Sequence, residues 1–106
     1  INMEKIACIV EARMNSKRLP GKHMLLVNEK PIIQYLIQRL KKVESANCIV
    51  LATTRKNVDK PLVELAKSLN IDYFMGSEEN VMSRVIQSAE KVNADIVVSI
   101  TGDCPL

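Results

Sequence analysis

One segment of the chain concentrates the residue types that bind phosphate. Residues 12–22 read Ala-Arg-Met-Asn-Ser-Lys-Arg-Leu-Pro-Gly-Lys and contain four cationic side chains, two small polar side chains and a Pro-Gly turn. Arginine offers a fork of donors for paired phosphate oxygens, lysine a mobile charge, and Gly21 lets the backbone approach an anion. The segment exceeds the roughly two to six residues usual between a strand and a helix. It therefore predicts a phosphate-binding loop, with a solvated basic loop as the alternative.

This loop matches neither of the two commonest nucleotide-binding motifs. The chain contains no G-x-x-x-x-G-K-[ST] sequence and no G-x-G-x-x-G sequence. Its three cysteines are widely spaced and form no C-x-x-C pair, which argues against zinc or disulfide-exchange chemistry. If the loop binds a nucleotide, it uses another arrangement of residues.

The elements that must position this loop follow from the apolar pattern. Unalternating β-branched runs at 6–10, 48–52 and 96–100 are typical of parallel strands covered on both faces, and a shorter strand is expected near 72–74. Between these runs apolar residues recur at helix spacing, at Ile33, Leu36, Ile37, Leu40 and Val43, at Leu62, Leu65, Ala66 and Leu69, and at Val81, Met82, Val85, Ile86 and Ala89. The alternation predicts an α/β fold with an open, mostly parallel, Rossmann-like sheet and helices on both faces.

A sheet of this kind binds its ligands at the carboxyl ends of its strands. The segments that follow the predicted strands are 11–30, 53–59, 75–80 and 101–106, and they hold most of the unusual polar side chains. We therefore expect the functional residues to lie along a single edge of the sheet.

Composition excludes several classes of protein. The chain has 106 residues, is 47% hydrophobic and carries a net charge of +3, which suits one modest globular core. Its three aromatic residues are too few for a stacking nucleic-acid surface. No apolar run approaches the roughly 18–20 residues that span a bilayer. We therefore expect no nucleic-acid or membrane partner and a cytoplasmic location.

The polar segments, taken in order, resemble a known family. The sequence A-R-M-x-S-x-R-L-P-G-K at 12–22 resembles the opening signature of the cytidylyltransferases that activate sugar acids. It is closest to the spore-coat polysaccharide biosynthesis protein F family and similar to the enzymes that make CMP-linked Kdo and sialic acids. The resemblance continues at 51–54, 76–84 and 101–106, so it spans almost the whole chain.

The resemblance implies a role for each matching residue. Arg13 and Lys22 would hold the triphosphate of CTP as the catalytic residues, and Asp103, at the end of an apolar central strand, would bind Mg²⁺. Cytosine and ribose would lie against the ends of the strands predicted at 48–52 and 72–74. The further nucleotide-binding residues that the resemblance implies are Ala12, Ser16, Arg18, Gly21, Ala52, Thr53, Ser77, Asn80 and Arg84.

Several of these residues also have ordinary structural interpretations. Ser77, followed by Glu78, Glu79 and Asn80, is typical of an N-capped helix with acidic residues in its first turn. An arginine at the position of Arg84 is more often a solvated helix residue than a ligand. Asp103 is compatible with a turn after the preceding glycine.

The implied reaction transfers CMP from CTP to a sugar or sugar acid and releases pyrophosphate, for surface polysaccharide or glycan biosynthesis. The resemblance implies a fold of the nucleotide-diphospho-sugar transferase type and a homodimer. Because such enzymes are longer, we expect residues 3–106 to be a truncated, N-terminal nucleotide-binding part that is inactive alone, with the two residues before Met3 outside the domain. Two alternatives stay open: a nucleotidyltransferase that uses another nucleoside triphosphate and a sugar phosphate, or a non-catalytic interaction module.

Overall fold

Strands and helices alternate in the computed structural model, which describes residues 5–14, 26–27, 29–43 and 48–101. In chain order the elements are β1 (Ile6–Glu11), β2 (Leu26–Val27), β3 (Lys30–Pro31), α1 (Ile32–Leu40), β4 (Cys48–Thr54), α2 (Lys60–Ser68), β5 (Asp72–Gly76), α3 (Val81–Lys91) and β6 (Ile96–Thr101). A short 3₁₀ turn at Asn57–Asp59 leads into α2.

The main sheet has four parallel strands in the order β5-β4-β1-β6. Glu11 at the end of β1 lies opposite Ala52 of β4 and Thr101 of β6, and Thr54 of β4 lies opposite Gly76 of β5. The four strands therefore end at the same edge. The predicted open parallel α/β sheet is confirmed.

Helices cover both faces of this sheet because successive strand residues point to opposite sides. On one face α1 and α2 pack on the strands, and the buried residues there are Cys8, Val10, Ala12, Ile33, Leu36, Ile37, Ile49, Leu51, Leu62, Leu65 and Ala66. On the other face α3 and the turn after it cover Ala7, Ile9, Val50 and Ala52, with Val92 completing the buried cluster. The prediction of helices on both faces is confirmed.

The ends of α2 and α3 are set by asparagines in the left-handed conformation. Asn70 has φ 58° and Asn93 has φ 55°. In each case the following amide bonds back five residues, from Ile71 to the Ala66 carbonyl and from Ala94 to the Ala89 carbonyl. These are Schellman motifs, which turn the chain out of each helix and into the next strand.

Two apolar patterns are not buried as the sequence predicts. On α3 the side chains of Val81, Met82 and Ile86 are exposed, Met82 by 67%, whereas Arg84, Ser88 and Ala89 are buried. The helix turns a polar face inward because Arg84 has an ionic partner in the sheet. Strand β6 lies at the edge of the described sheet, not at its centre, and its apolar residues 96–98 are about 40% exposed. The prediction that this strand is covered on both faces is wrong for the described part of the chain.

The long connection after β1 contains a small element that the apolar pattern does not predict. Strands β2 and β3 pair antiparallel, with Leu26 opposite Pro31 and Val27 opposite Lys30. Glu29, in the turn between them, has φ 69°. Each strand has only two residues, which is too short for a periodic signal.

Across the residues that the structure describes, none of the helices has the length and apolar character needed to cross a membrane.

Candidate functional site

The carboxyl edge of the sheet brings together three of the segments that the sequence singled out. The start of the first loop leaves β1 beside the end of β4, and β5 ends beside β4 on the other side. The segment that joins β5 to α3 is tied to the start of the first loop through Arg84. The predicted clustering at one edge is confirmed for these segments.

Residues 11–14, which we call the loop root, are held by the neighbouring strand and turn. The Ala12 amide donates to the Ala52 carbonyl at 3.1 Å, and the Met14 amide donates to Oδ1 of Asp59 at 2.7 Å. Arg13 lies between these two fixed amides and is partly exposed. The first predicted catalytic residue therefore leaves the sheet from an anchored backbone.

A buried ion pair joins the loop root to α3. Nη2 of Arg84 lies 3.2 Å from Oε2 of Glu11, and the two side chains are 3% and 10% exposed. Burial raises the pKa of the Glu11 carboxyl because desolvation disfavours its charge, and the charges of Arg84 and Arg13 oppose that shift. Oε1 of Glu11 and Nε of Arg84 have no hydrogen-bond partner among the described residues.

The same guanidinium holds the segment between β5 and α3. Nη1 of Arg84 donates to the carbonyl of Ser77 at 2.6 Å and to that of Glu78 at 3.1 Å. A Cβ on Gly76 would lie 2.9 Å from Cγ of Arg84 and 2.8 Å from Cε2 of Phe74. The absence of a side chain at Gly76 thus leaves room for the arginine to reach both carbonyls.

The start of α3 differs from the predicted cap. Asn80 is the N-cap, and its Oδ1 accepts from the Ser83 amide at 2.9 Å. Ser77 lies one turn earlier, where its Oγ accepts from the Asn80 amide at 3.3 Å. Glu78 and Glu79 precede the helix, so its first turn contains no acidic residue. The predicted cap at Ser77 is wrong because the segment closes a turn before the helix begins.

Three of the five predicted base-side residues, Ala52, Thr53 and Arg84, occupy buried positions. The side chains of Ala52 and Thr53 are 0% exposed, and the Thr53 hydroxyl has no hydrogen-bond partner in the described structure. Arg84 is 2% exposed and would have to leave its ion pair to touch a ligand. Ser77 is half-buried and Asn80 is exposed. Contact of these residues with a nucleotide stays a prediction.

The remaining predicted residues lie outside the described part of the chain. They are Ser16, Arg18, Gly21 and Lys22 of the first loop and the predicted metal ligand Asp103. Within the described ranges, no group of three or more histidine, cysteine, aspartate or glutamate side chains could hold a metal ion.

Sequence reasoning missed two charged residues that shape this edge, Glu11 and Asp59, and it assigned Arg84 to the nucleotide rather than to an ion pair. Glu11 ends an otherwise apolar strand, and a charge at such a position needs a partner. Arg84 interrupts the apolar pattern of α3, and Asp59 follows the carboxyl end of β4. The signal available in the sequence was an ionisable side chain next to residues predicted to be buried. The pairing partners could not be read from spacing, because 73 residues separate Glu11 from Arg84 and 45 separate Met14 from Asp59.

The fold defines an open α/β domain of the Rossmann-like type. The family model described as cytidylyltransferase matches residues 7–106, and the chain belongs to that family.

Relatives agree with this assignment along almost the whole chain. The spore coat polysaccharide biosynthesis protein SpsF of Bacillus subtilis is 31% identical over 107 residues, which cover 97% of this chain and 45% of that protein. The solved structure of a cytidylyltransferase from Leptospira borgpetersenii is 36% identical with a TM-score of 0.91, covering 97% of this chain and 43% of that one.

A second solved structure includes a nucleotide. The structure of CMP:2-keto-3-deoxy-manno-octonic acid synthetase complexed with CTP is 29% identical with a TM-score of 0.76. The match covers 93% of this chain and 40% of that one. The chain therefore spans less than half the length of the curated relatives and solved structures that it matches.

Proposed function

We propose that the chain is the nucleotide-binding part of an enzyme that transfers CMP from CTP to a sugar or sugar acid and releases pyrophosphate. The single observation that carries this proposal is the anchored loop root, which places Arg13 at the carboxyl edge of a parallel sheet. Family membership and the similarity to a synthetase complexed with CTP support the choice of nucleotide. The similarity to SpsF supports a role in surface polysaccharide or glycan biosynthesis.

The proposed reaction is an in-line substitution at the α-phosphorus of CTP. A hydroxyl oxygen of the sugar forms a bond to this phosphorus, the bond to the bridging oxygen of the β-phosphate breaks so that pyrophosphate leaves with the electron pair, and the hydroxyl proton passes to solvent. Arg13 and Lys22 would hold the triphosphate and neutralise charge that develops on its oxygens. The protein thus contributes mainly position and positive charge.

The proposal includes a magnesium ion carried on the triphosphate. Strand β6 ends at Thr101, opposite Glu11, so the segment with Asp103 follows from a strand end beside the loop root. Carboxylate oxygens are ligands that Mg²⁺ prefers. We assign the metal to Asp103, and a bound ion there would neutralise charge on the phosphoryl oxygens.

The nucleotide contacts extend the same proposal to other predicted residues. In the first loop they are Ala12, Ser16, Arg18 and Gly21, and on the base side they are Ala52, Thr53, Ser77, Asn80 and Arg84. Ser77 and Asn80 are the accessible base-side positions, because the other three are buried in the present structure.

Calorimetric titration with the four nucleoside triphosphates and Mg²⁺ tests the proposal. CTP is expected to bind most tightly, and Lys22→Ala is expected to weaken CTP about tenfold or more, the loss typical of a charge-assisted hydrogen bond. Lys42→Ala is the matched control, since Lys42 is an exposed lysine just after α1, at the opposite edge.

Other outcomes of this titration select the alternatives. Tightest binding of UTP, GTP or ATP would indicate a nucleotidyltransferase with another base. No affinity for any triphosphate, together with a stable complex with another protein, would indicate an interaction module. Equal, weak affinity for all four would contradict specific nucleotide recognition.

A cytoplasmic homodimer is part of the proposal. The exposed edge strand β6 supports association with a second chain, because unpaired strand edges accept further strands. Light scattering coupled to size-exclusion chromatography measures the oligomeric state, and a monomeric mass at all concentrations would contradict the dimer.

A further inference from the structure

Asp59 is a buried carboxylate that does not perform the usual task of its position. It is the N-cap residue of α2 and is 1% exposed. An aspartate there ordinarily accepts a hydrogen bond from an amide in the first turn of its own helix. The Asp59 side chain makes no such bond. It points away from α2 and toward the loop root.

Both oxygens of this carboxylate are used. Oδ1 accepts from the Met14 amide at 2.7 Å, and Oδ2 accepts from the Thr54 hydroxyl. The Thr54 oxygen itself accepts from the Lys56 amide at 3.2 Å, which leaves its proton free to face Asp59. A buried carboxylate is tolerated only with such partners. The side chain thus links the end of β4, the turn before α2 and the loop root.

This link determines where Arg13 leaves the sheet. On one side of Arg13 the Ala12 amide bonds to the backbone carbonyl of Ala52, a contact that needs no particular side chain. On the other side the Met14 amide donates to the Asp59 carboxylate, a contact that needs this side chain. The backbone on that side of Arg13 is therefore held by a side chain of another segment.

We infer that Asp59 is a positioning residue for triphosphate binding: it fixes the Met14 amide and so aims the Arg13 guanidinium at the phosphates. This inference rests on the function proposed above. Asp59 acts through its geometry, since it touches the loop root rather than the ligand.

Two substitutions separate geometry from charge. Asp59→Asn removes the charge but keeps the shape: the amide oxygen accepts from Met14, and the amide nitrogen donates to Thr54. Asp59→Glu keeps the charge but moves it by one methylene. A positioning role predicts CTP affinity within about threefold of the parent for the Asn variant and a loss of about tenfold or more for the Glu variant. Loss of affinity in the Asn variant and its retention in the Glu variant would overturn the inference.

The loss should be confined to the phosphates. Inorganic tripolyphosphate is expected to lose affinity in Asp59→Glu in parallel with CTP, whereas cytidine, followed by NMR shift titration, is expected to keep its affinity within about twofold. Equal weakening of cytidine would overturn the inference in favour of a general structural role. Val63→Ala is the matched control, because it removes buried side-chain contacts from α2 and leaves the Asp59 carboxylate in place, and it should leave CTP affinity unchanged.

A third measurement reads the contact without any ligand. Hydrogen exchange of the Met14 amide is expected to be about tenfold or more faster in Asp59→Ala, and unchanged in the isosteric Asn variant, which preserves the fold. The Ala12 amide serves as the internal reference. Unchanged Met14 exchange in Asp59→Ala would overturn the inference.

If the parent chain bound no CTP, the proposed function and this inference would both fail; parent-level CTP affinity in Asp59→Glu would remove only this inference.

Discussion

The Glu11–Arg84 pair makes a prediction whose size follows from the structure. At the observed separation of 3.2 Å and an effective dielectric constant of about 20, the two charges attract by about 5 kcal/mol. Replacing Arg84 by methionine would leave the Glu11 charge buried without this partner. Removal of one member of a buried pair typically costs about 3–5 kcal/mol. We expect Arg84→Met to lower the free energy of unfolding by this amount at neutral pH.

The carbonyls that Arg84 holds add little to this cost. Ser77 and Glu78 are half-buried, so water can replace the two donated hydrogen bonds. The unpaired carboxylate therefore accounts for most of the loss. Replacing both ionic residues, in the double variant Glu11→Leu/Arg84→Met, should restore stability to within about 1 kcal/mol of the parent.

Urea unfolding followed by far-ultraviolet circular dichroism measures these differences. Small domains have only about 5–15 kcal/mol of total stability, so the titrations should be done at low temperature, where the single variant retains a folded baseline. Together with the single variant Glu11→Leu, these chains form a double-mutant cycle that isolates the pairwise energy. A cost below about 1 kcal/mol for Arg84→Met, or a double variant no more stable than the single one, would refute the reasoning.

Two further predictions concern the same edge. Burial raises the pKa of Glu11 above its ordinary 4.5, so the folded chain binds a proton at this carboxyl at higher pH than the unfolded chain does. The free energy of unfolding of the parent, relative to that of Glu11→Gln, should therefore rise as pH falls from 7 toward 4.5. Urea titrations that show this difference falling over the same range would contradict the prediction. Gly76→Ala should cost about 1–3 kcal/mol, because its Cβ would lie 2.8 Å from Phe74 and 2.9 Å from Arg84. Thermal unfolding should show partial recovery in Gly76→Ala/Phe74→Leu, and equal stability of parent and Gly76→Ala would rule out the crowding.

Local patterns sufficed to predict the architecture and the edge at which the candidate site was expected. The apolar runs and helix spacings gave the correct alternation, because a strand or helix is encoded in residues close together in the chain. The parallel arrangement then placed the described segments that follow β1, β4 and β5 at one edge, since parallel strands end together. The overlong basic loop and the family resemblance were also readable without coordinates.

Only the tertiary structure decided how that edge is held together. The partners of Glu11 and Met14 lie 73 and 45 residues away, and no periodicity links them. For the same reason the apolar pattern of α3 predicted the wrong buried face. Arg84 faces the sheet because it pairs with Glu11, and the apolar side chains of Val81, Met82 and Ile86 are exposed instead.

The exposure of β6 likewise could not be predicted from its own residues, because an edge strand and a central strand can have the same apolar sequence. The sequence by itself determined which elements form and at which edge its unusual polar segments begin. Which side chains pair across that edge was decided by the fold, because pairing depends on distances in space that the order of residues does not encode.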